Sequence, residues 1–222
     1  MGGGDPPPPV APAVRLSGRP VRLSIFPLPG AILFPGLQLP LHIFEPRYRA
    51  LVGDALARDR RIAMIQPRRP GDGGQLYQVG CIGRIGEVEA LEDGRFNLVL
   101  EGEQRFRLVR ELDAATAFRQ VEGEPIAEPE DEYLSSVERA GFEQEARLFA
   151  DRQGYSVDWD SVARLDDQSL INGVSQIAPF DAAAKQALLE AADLPARCEL
   201  LIQLMQFFGL HDGGEDNKVT LQ

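Results

Sequence analysis

The sequence predicts an α+β fold in which a β-rich half is followed by a helical half. From Val21 to about Ile126, apolar and polar residues mostly alternate, which is typical of half-buried strands. After Glu128 the apolar residues recur at spacings of three and four, which is typical of amphipathic helices. With 222 residues, 44% of them hydrophobic, the chain is long enough and apolar enough to bury a sizeable core.

This change of period divides the chain into four predicted segments. Residues 1–17 are rich in glycine and proline and have little to bury, so we expect a disordered tail there, and another at residues 211–222. Residues 18–127 are expected to form the β-rich subdomain. Residues 128–210 are expected to form the helical subdomain.

The strands of the first half are indicated by three alternating runs, "VRLSIF" at 21–26, "RFNLVLEG" at 95–102 and "RFRLVREL" at 105–112. Asp93 and Gly94 precede the second run and predict a hairpin turn, because a tight turn of this kind needs positive φ. A longer loop is expected at 70–74. Pro40 predicts a strand at a sheet margin, since proline cannot donate a ladder hydrogen bond. One helix interrupts the strands at residues 45–59, with Pro46 in its first turn.

Four helices are predicted in the second half, at residues 132–154, 166–178, 181–193 and 193–209. Asp181 and Asp193 are the expected N-terminal caps of the last two, and Gly209 the expected end of the last. The apolar stripe of each helix should face the core, and in the first two helices the stripe includes Val137 and Ile177.

The charge pattern limits the classes of partner. A net charge of −11 disfavours a protein that mainly binds the phosphate backbone of nucleic acid. The average hides an asymmetry, since residues 43–69 carry +4 and residues 122–167 carry −10. These are either two solvated faces of opposite sign, or a basic segment that meets an acidic partner such as the acidic half of the same chain. No apolar run is long enough for a membrane span and no signal peptide is evident, so we expect a cytoplasmic protein.

No catalytic residue, metal site or cofactor site is predicted. Cys81 and Cys198 are expected to be buried, unreactive thiols. His42 and Glu45 have a spacing that two metal ligands could share, but no third ligand lies near them and a structural histidine is favoured. The dipeptide Gly-Lys does not occur, so the nucleotide phosphate-binding loop that requires it is absent. A catalytic pair of Ser175 and Lys185 is disfavoured because the lysine should lie on an exposed helix face.

The segment "VGCIGRIGEV" has glycines at 80, 83 and 86, yet it lies inside an alternating strand and not at a strand-to-helix turn. We interpret these glycines as packing positions where another part of the chain approaches closely, and RNA contact there is the alternative.

Five segments, taken in order, carry a resemblance to a known family. They are "FPLPGAILFPGLQLPLHIFEPRYRALVGDAL", "RIAMIQP", "LYQVGCIGRI", "DGRFNLVLEGEQRFRL" and "AAAKQALLEAADLPARCELLIQLM". Together they resemble the N-terminal substrate-binding domain of the Lon ATP-dependent proteases. The resemblance implies a PUA-like twisted β-barrel with one packed helix, followed by a helical bundle. It also implies a stand-alone substrate-binding domain without the ATPase and protease modules, and therefore a non-catalytic protein. Such a protein could be labelled a protease on the basis of its similarity to Lon alone.

The resemblance further implies binding of unfolded or extended polypeptides in protein quality control, with a protease or a chaperone as further candidate partners. Phe34 and Leu37 flank a predicted Pro35-Gly36 turn, where apolar side chains are expected to remain exposed, and they are the candidate peptide-binding residues. The alternative is that both cap the barrel core. An RNA-binding role is the alternative function, on the basis of the PUA-like fold and the arginines of residues 58–69. We also expect a structural ion pair between Glu45 and Arg105.

Overall fold

The computed structural model of the chain describes residues 18–69, 74–129 and 132–211, and it confirms the α+β class. The predicted tail at 1–17 lies outside the described residues, as do residues 212–222 of the second predicted tail and residues 70–73 of the predicted 70–74 loop. The described strands are β1 (Val21–Pro27), β2 (Gln38–Ile43), β3 (Arg61–Ile65), β4 (Val79–Ala90), β5 (Phe96–Leu112) and β6 (Gln120–Pro125). The described helices are α1 (Pro46–Leu56), α2 (Ser136–Gln153), α3 (Trp159–Val162), α4 (Asp167–Ile177), α5 (Ala182–Glu190) and α6 (Leu194–His211).

The strands form one mixed sheet that closes on itself. Its order is β2-β5-β4-β3-β1-β6, and β6 also pairs with β5. β1 and β3 are parallel, and the other pairs are antiparallel. The sequence predicts two strands within residues 95–112, whereas the structure has a single 17-residue strand, β5. The first half of β5 pairs with β2 and its second half pairs with β6, so one long strand serves both edges.

Glycines allow other parts of the chain to approach this sheet closely. A Cβ on Gly102, in the middle of β5, would overlap the carbonyl group of Phe34. A Cβ on Gly80 would overlap the Met64 carbonyl and the Phe106 ring, which confirms the packing interpretation of that position. Gly94 has φ +79° in the turn between β4 and β5, as predicted for a hairpin.

Pro40 lies in β2, at the edge of the sheet, as predicted. β2 pairs only with β5 among the described strands, and Pro40 is opposite Val99 in that register. Proline is tolerated there because a backbone position that faces the open side of an edge strand has no ladder partner to lose.

Local capping chemistry sets the helix ends. Pro46 opens α1, and the carboxylates of Asp181 and Asp193 accept hydrogen bonds from backbone amides at the starts of α5 and α6, as predicted. The predicted end of the last helix at Gly209 is wrong, since α6 continues to His211. Helix α3 was not predicted.

Two predicted core residues, Val137 and Ile177, are exposed, with 81% and 78% of their surface accessible. Val137 lies in the first turn of α2 and Ile177 is the last residue of α4. The helical periodicity extends into these terminal turns, but the neighbouring elements no longer cover the apolar face there. The predictions for these two residues are therefore wrong.

The two halves of the chain share a core. Ile32, Phe34 and Val79 from the β-rich half belong to the same buried apolar cluster as α2, α4, α5 and α6. Buried polar groups join the halves as well. Asn172 of α4 donates to the carbonyl of Pro35 at 3.1 Å, and Gln186 of α5 donates to the carbonyl of Val79 at 3.0 Å. The predicted boundary at 127 and 128 separates strand from helix along the chain, while the packing is continuous across it.

Candidate functional site

The two predicted peptide-binding residues lie at this junction and not on an open surface. Phe34 has no accessible surface, and the guanidinium of Arg197 lies 5.6 Å from its ring centroid. Leu37 is half-buried and packs against the same helical cluster. The prediction that the Phe34 side chain is exposed is therefore wrong, because the 31–37 segment is folded against α4 and not left open above the sheet. Phe34 caps the helical core, a variant of the alternative considered for the sequence.

The predicted ion pair between Glu45 and Arg105 does not form. The guanidinium of Arg105 binds the carboxylate of Glu128 through two hydrogen bonds of 2.5 and 2.9 Å. It also donates to the carbonyl of Leu189 at 2.8 Å, at the C-terminal end of α5. Glu45 instead pairs with Arg47 at 2.9 Å, at the exposed start of α1. Arg105 projects from β5 toward α5, where it satisfies unpaired helix-end carbonyls, and this explains the correction.

The arginines that suggested RNA binding are mostly engaged within the protein. Arg58 pairs with Asp54 at 3.0 Å, and Arg61 with Glu103 at 2.7 Å. Arg60 donates to two backbone carbonyls, and Arg68 to one. A side chain that is already hydrogen-bonded in the folded state is less available for phosphate contacts, so the geometry gives the RNA hypothesis no support.

The other side chains considered for catalysis do not come together in an active site. The Ser175 hydroxyl donates to the carbonyl of Ile171, and the Lys185 ammonium donates to the carbonyl of Gln176, so they do not form a nucleophile–base pair. The thiols of Cys81 and Cys198 are free and buried, as predicted. Burial raises the pKa of both, that of Cys198 to about 11, which keeps them protonated and unreactive at neutral pH.

The predicted structural histidine, His42, forms polar contacts with Asn97 at 2.7 Å and with Arg95 at 3.2 Å. Within the described ranges, no group of three or more histidine, cysteine or acidic side chains is placed to hold a metal ion. None of the described helices is both long and apolar enough to cross a membrane.

The strongest candidate site is an apolar groove in the helical half, with a cavity volume of ≈ 500 Å³. We call it the helical groove. Its walls come from four helices and from the loop between α2 and α3. The lining residues are Phe142, Glu143, Ala146, Phe149, Ala150, Tyr155, Ser156, Val157, Trp159, Val162, Leu170, Val174, Ile177, Ala178 and Met205.

Residues at the helix ends, together with one ion pair, determine where the walls of the groove lie. Gly154 ends α2 with φ +70°, which turns the chain into the 155–158 loop. The carboxylate of Asp158 then caps α3 by accepting from the Ser161 amide. Arg139 of α2 binds Asp167 of α4 at 2.6 Å, an ion pair that fixes the spacing between two walls of the groove.

The mouth of the helical groove exposes large apolar side chains. Ile177 projects into solvent on one side, and Tyr155 is half-exposed on another. The guanidinium of Arg147 lies 4.3 Å from the centroid of the Trp159 ring, a cation–π contact on the wall formed by α3. Trp159 is the only tryptophan of the chain, so its fluorescence reports on this wall alone.

Apolar surface at the mouth of an open cavity is the property expected of a surface that binds an apolar ligand. This groove was not predicted from the sequence, because its lining residues have the spacing of ordinary core positions of helices. The one signal available was the single tryptophan outside every predicted helix.

Comparisons with known proteins agree on one family. Residues 22–206 match the family model described as the ATP-dependent protease La (LON) substrate-binding domain. The structure is similar to the N-terminal domain of a Lon protease of the Mycobacterium avium complex, with a TM-score of 0.65 and 22% identity over 84% of this chain and 98% of that one. It is similar to the Lon N-terminal domain protein of Xanthomonas campestris to the same degree, over 82% of this chain and 98% of that one.

Curated relatives give the same result. Lon protease 2 of Herpetosiphon aurantiacus is 28% identical over 193 residues, which are 82% of this chain and 23% of that protein. The Lon protease of Escherichia coli K12 is 24% identical over 196 residues, which are 84% of this chain and 25% of that protein. The chain thus spans about a quarter of the length of these relatives.

Proposed function

The chain belongs to the family of ATP-dependent protease La (LON) substrate-binding domains, and from this premise we propose that it binds exposed apolar segments of unfolded polypeptides without cleaving them. The proposal extends to a role as an adaptor or regulator of proteolysis, in which the bound segment is presented to a protease or withheld from one.

The helical groove is the observation that carries this proposal. A polypeptide segment that has lost its fold exposes large apolar side chains, and transfer of such a side chain into an apolar cavity is favourable by about 1.5–3 kcal/mol when it is complete. The groove volume of ≈ 500 Å³ is in the range of ligand cavities and accommodates two or three such side chains. Ile177 and Tyr155 add apolar contact area at its mouth.

The direct test is a titration with a permanently unfolded polypeptide that lacks tryptophan, followed through the fluorescence of Trp159. Binding in the helical groove should change the emission of Trp159, because a ligand there alters the solvent exposure of the α3 wall. The variant Ile177→Ser should bind three- to tenfold more weakly, since it removes contact area worth on the order of 1 kcal/mol.

A matched control and a competing site make the test specific. Val137→Ser removes an equally exposed apolar side chain outside the groove lining and should leave the affinity unchanged. Leu37→Ala tests the site predicted from the sequence. If Leu37→Ala weakens binding while Ile177→Ser does not, the binding surface is the Pro35-Gly36 turn and not the groove. A titration with no binding to the wild-type protein contradicts the proposed function itself.

A further inference from the structure

The helical groove is surrounded by negative charge. Residues 142–181, which form most of its walls, contain eight acidic residues and three arginines, a net charge of −5. The apolar lining includes a single charged residue, Glu143, whose carboxylate is bound by Arg139 at 2.6 Å. The charge therefore lies around the groove and not within it.

Some of this charge is available to a ligand. Asp151 and Asp160 are exposed, and neither carboxylate forms an ion pair with another described residue. Each is next in sequence to a lining residue, since Asp151 follows Ala150 and Asp160 follows Trp159. The carboxylate of Asp158, between two lining residues, is also exposed, and it accepts hydrogen bonds from the Ser161 hydroxyl and from backbone amides at the start of α3.

Residues 142–181 contain three arginines. Arg152 pairs with Glu145 at 3.7 Å, Arg147 keeps its charge over the Trp159 ring, and Arg164 is exposed without an ion pair to another described residue. These arginines offset the acidic excess only in part. A cationic group that arrives beside the groove thus meets two exposed carboxylates without an ion-pair partner and a local net charge of −5, so it is attracted on balance, whereas an anionic group is repelled on balance. The interaction acts over about one Debye length, roughly 8–10 Å at moderate ionic strength, which reaches across the mouth of a groove of this size.

We infer that the helical groove selects apolar segments flanked by lysine or arginine, with the apolar residues in the cavity and the cationic residues beside Asp151 and Asp160. This inference rests on the proposed function, because it assigns a ligand class to the same groove. Electrostatic complementarity of this kind contributes to selectivity and association rate more than to total affinity, so the apolar residues remain necessary.

The test uses three synthetic peptides without tryptophan that share one apolar core and differ only in their flanks, which are lysine, serine or glutamate. Dissociation constants are measured from Trp159 fluorescence at low salt (about 20 mM) and at high salt (about 0.5 M), where screening shortens the Debye length to roughly 4 Å. The lysine-flanked peptide should bind roughly three- to tenfold more tightly than the serine-flanked one at low salt. The glutamate-flanked peptide should bind most weakly, and the three affinities should converge at high salt.

Two double variants distinguish a local effect from the overall negative charge. Asp151→Asn with Asp160→Asn should remove most of the preference for lysine flanks. Glu87→Gln with Glu92→Gln changes the net charge equally at exposed positions of the β4–β5 hairpin and should preserve that preference.

Equal affinity for all three peptides at low salt would overturn the inference and leave the proposed function intact. Equal loss in both double variants would overturn it as well, since the preference would then reflect net charge. Absence of binding by all three peptides would contradict the proposed function and this inference together.

Discussion

The junction between the two halves of the chain depends on Arg105, and Arg105→Met tests this directly. The side chain of Arg105 is 3% exposed and that of Glu128 is 12% exposed. Besides its two bonds to Glu128, the guanidinium donates to the carbonyls of Leu189 and Ala191, at 2.8 and 2.5 Å. Methionine fills a similar volume, so the variant removes the charge and the hydrogen bonds and creates only a small cavity.

The expected cost follows from what the substitution leaves behind. Removing one partner of a buried ion pair typically costs about 3–5 kcal/mol, because the remaining charge loses the interaction that offset most of its desolvation. Glu128 is close enough to the surface for partial hydration, which reduces its share, while the unpaired carbonyls at the end of α5 add about 1 kcal/mol or more each. We therefore expect a loss of about 3–5 kcal/mol in the free energy of unfolding, and a melting temperature lower by roughly 6–20 °C for a chain of this size.

The assay is urea and thermal unfolding followed by far-ultraviolet circular dichroism. Arg110→Met is the matched control, because Arg110 also lies in β5 and pairs with Glu122 at 2.6 Å, but its side chain is 65% exposed. An exposed pair contributes about 0–1 kcal/mol. If Arg105→Met destabilises the protein by no more than Arg110→Met does, the reasoning about the buried junction is wrong.

Two further predictions concern packing and capping. Gly102→Ala should destabilise the protein by about 1–3 kcal/mol in urea unfolding, because the new methyl group overlaps the Phe34 carbonyl. Gly53→Ala, on the exposed face of α1, should instead stabilise the protein by up to about 1 kcal/mol. Equal effects of the two substitutions would refute the argument that Phe34 approaches Gly102 closely. Hydrogen bonds from Ser169 lower the pKa of the Asp166 carboxyl below its ordinary value, so the capping contribution should be present above about pH 4 and lost as the pH falls through the lowered folded-state pKa. Asp166→Asn should therefore cost up to about 1 kcal/mol at pH 7 and nothing at strongly acid pH, and a constant difference across the pH range would contradict this.

Features that depend on local chemistry were predictable from the sequence. The caps Asp181 and Asp193, the turn at Gly94 and the helix start at Pro46 each need a particular residue type at one position, and the structure has them there. The position of Pro40 in an edge strand follows in the same way. In these cases the side chain and the backbone it constrains are neighbours in sequence.

Features that depend on what covers a surface were not predictable. Periodicity places Ile177 on the apolar face of α4, and the Pro35-Gly36 pair predicts a turn beside Phe34, but neither pattern says which element packs over these residues. The turn forms, since the Leu37 amide donates to the Phe34 carbonyl at 3.2 Å, but the 31–37 segment folds against α4 and buries Phe34. The end of α4 extends past its neighbours and exposes Ile177. The partner of Arg105 was mistaken for the same reason, since Glu128 comes near it only through the pairing of β6 with β5, which places Pro125 opposite Phe106.

The residues that we expect to set the stability of the junction differ from those of the proposed binding groove. Phe34, Arg105 and Arg197 lie at the buried junction, whereas Ile177, Tyr155 and Trp159 lie at the helical groove. The hydrogen bonds of Arg105 reach Glu128 and the end of α5, and these partners do not line the helical groove. Effects at sites that share no partner usually add to within about 0.5 kcal/mol. Arg105→Met combined with Ile177→Ser should therefore show the stability of the first variant and, below its melting temperature, the peptide affinity of the second. A large deviation from additivity would mean that the groove depends on the junction for its shape, and that the substrate-binding surface includes both halves of the domain.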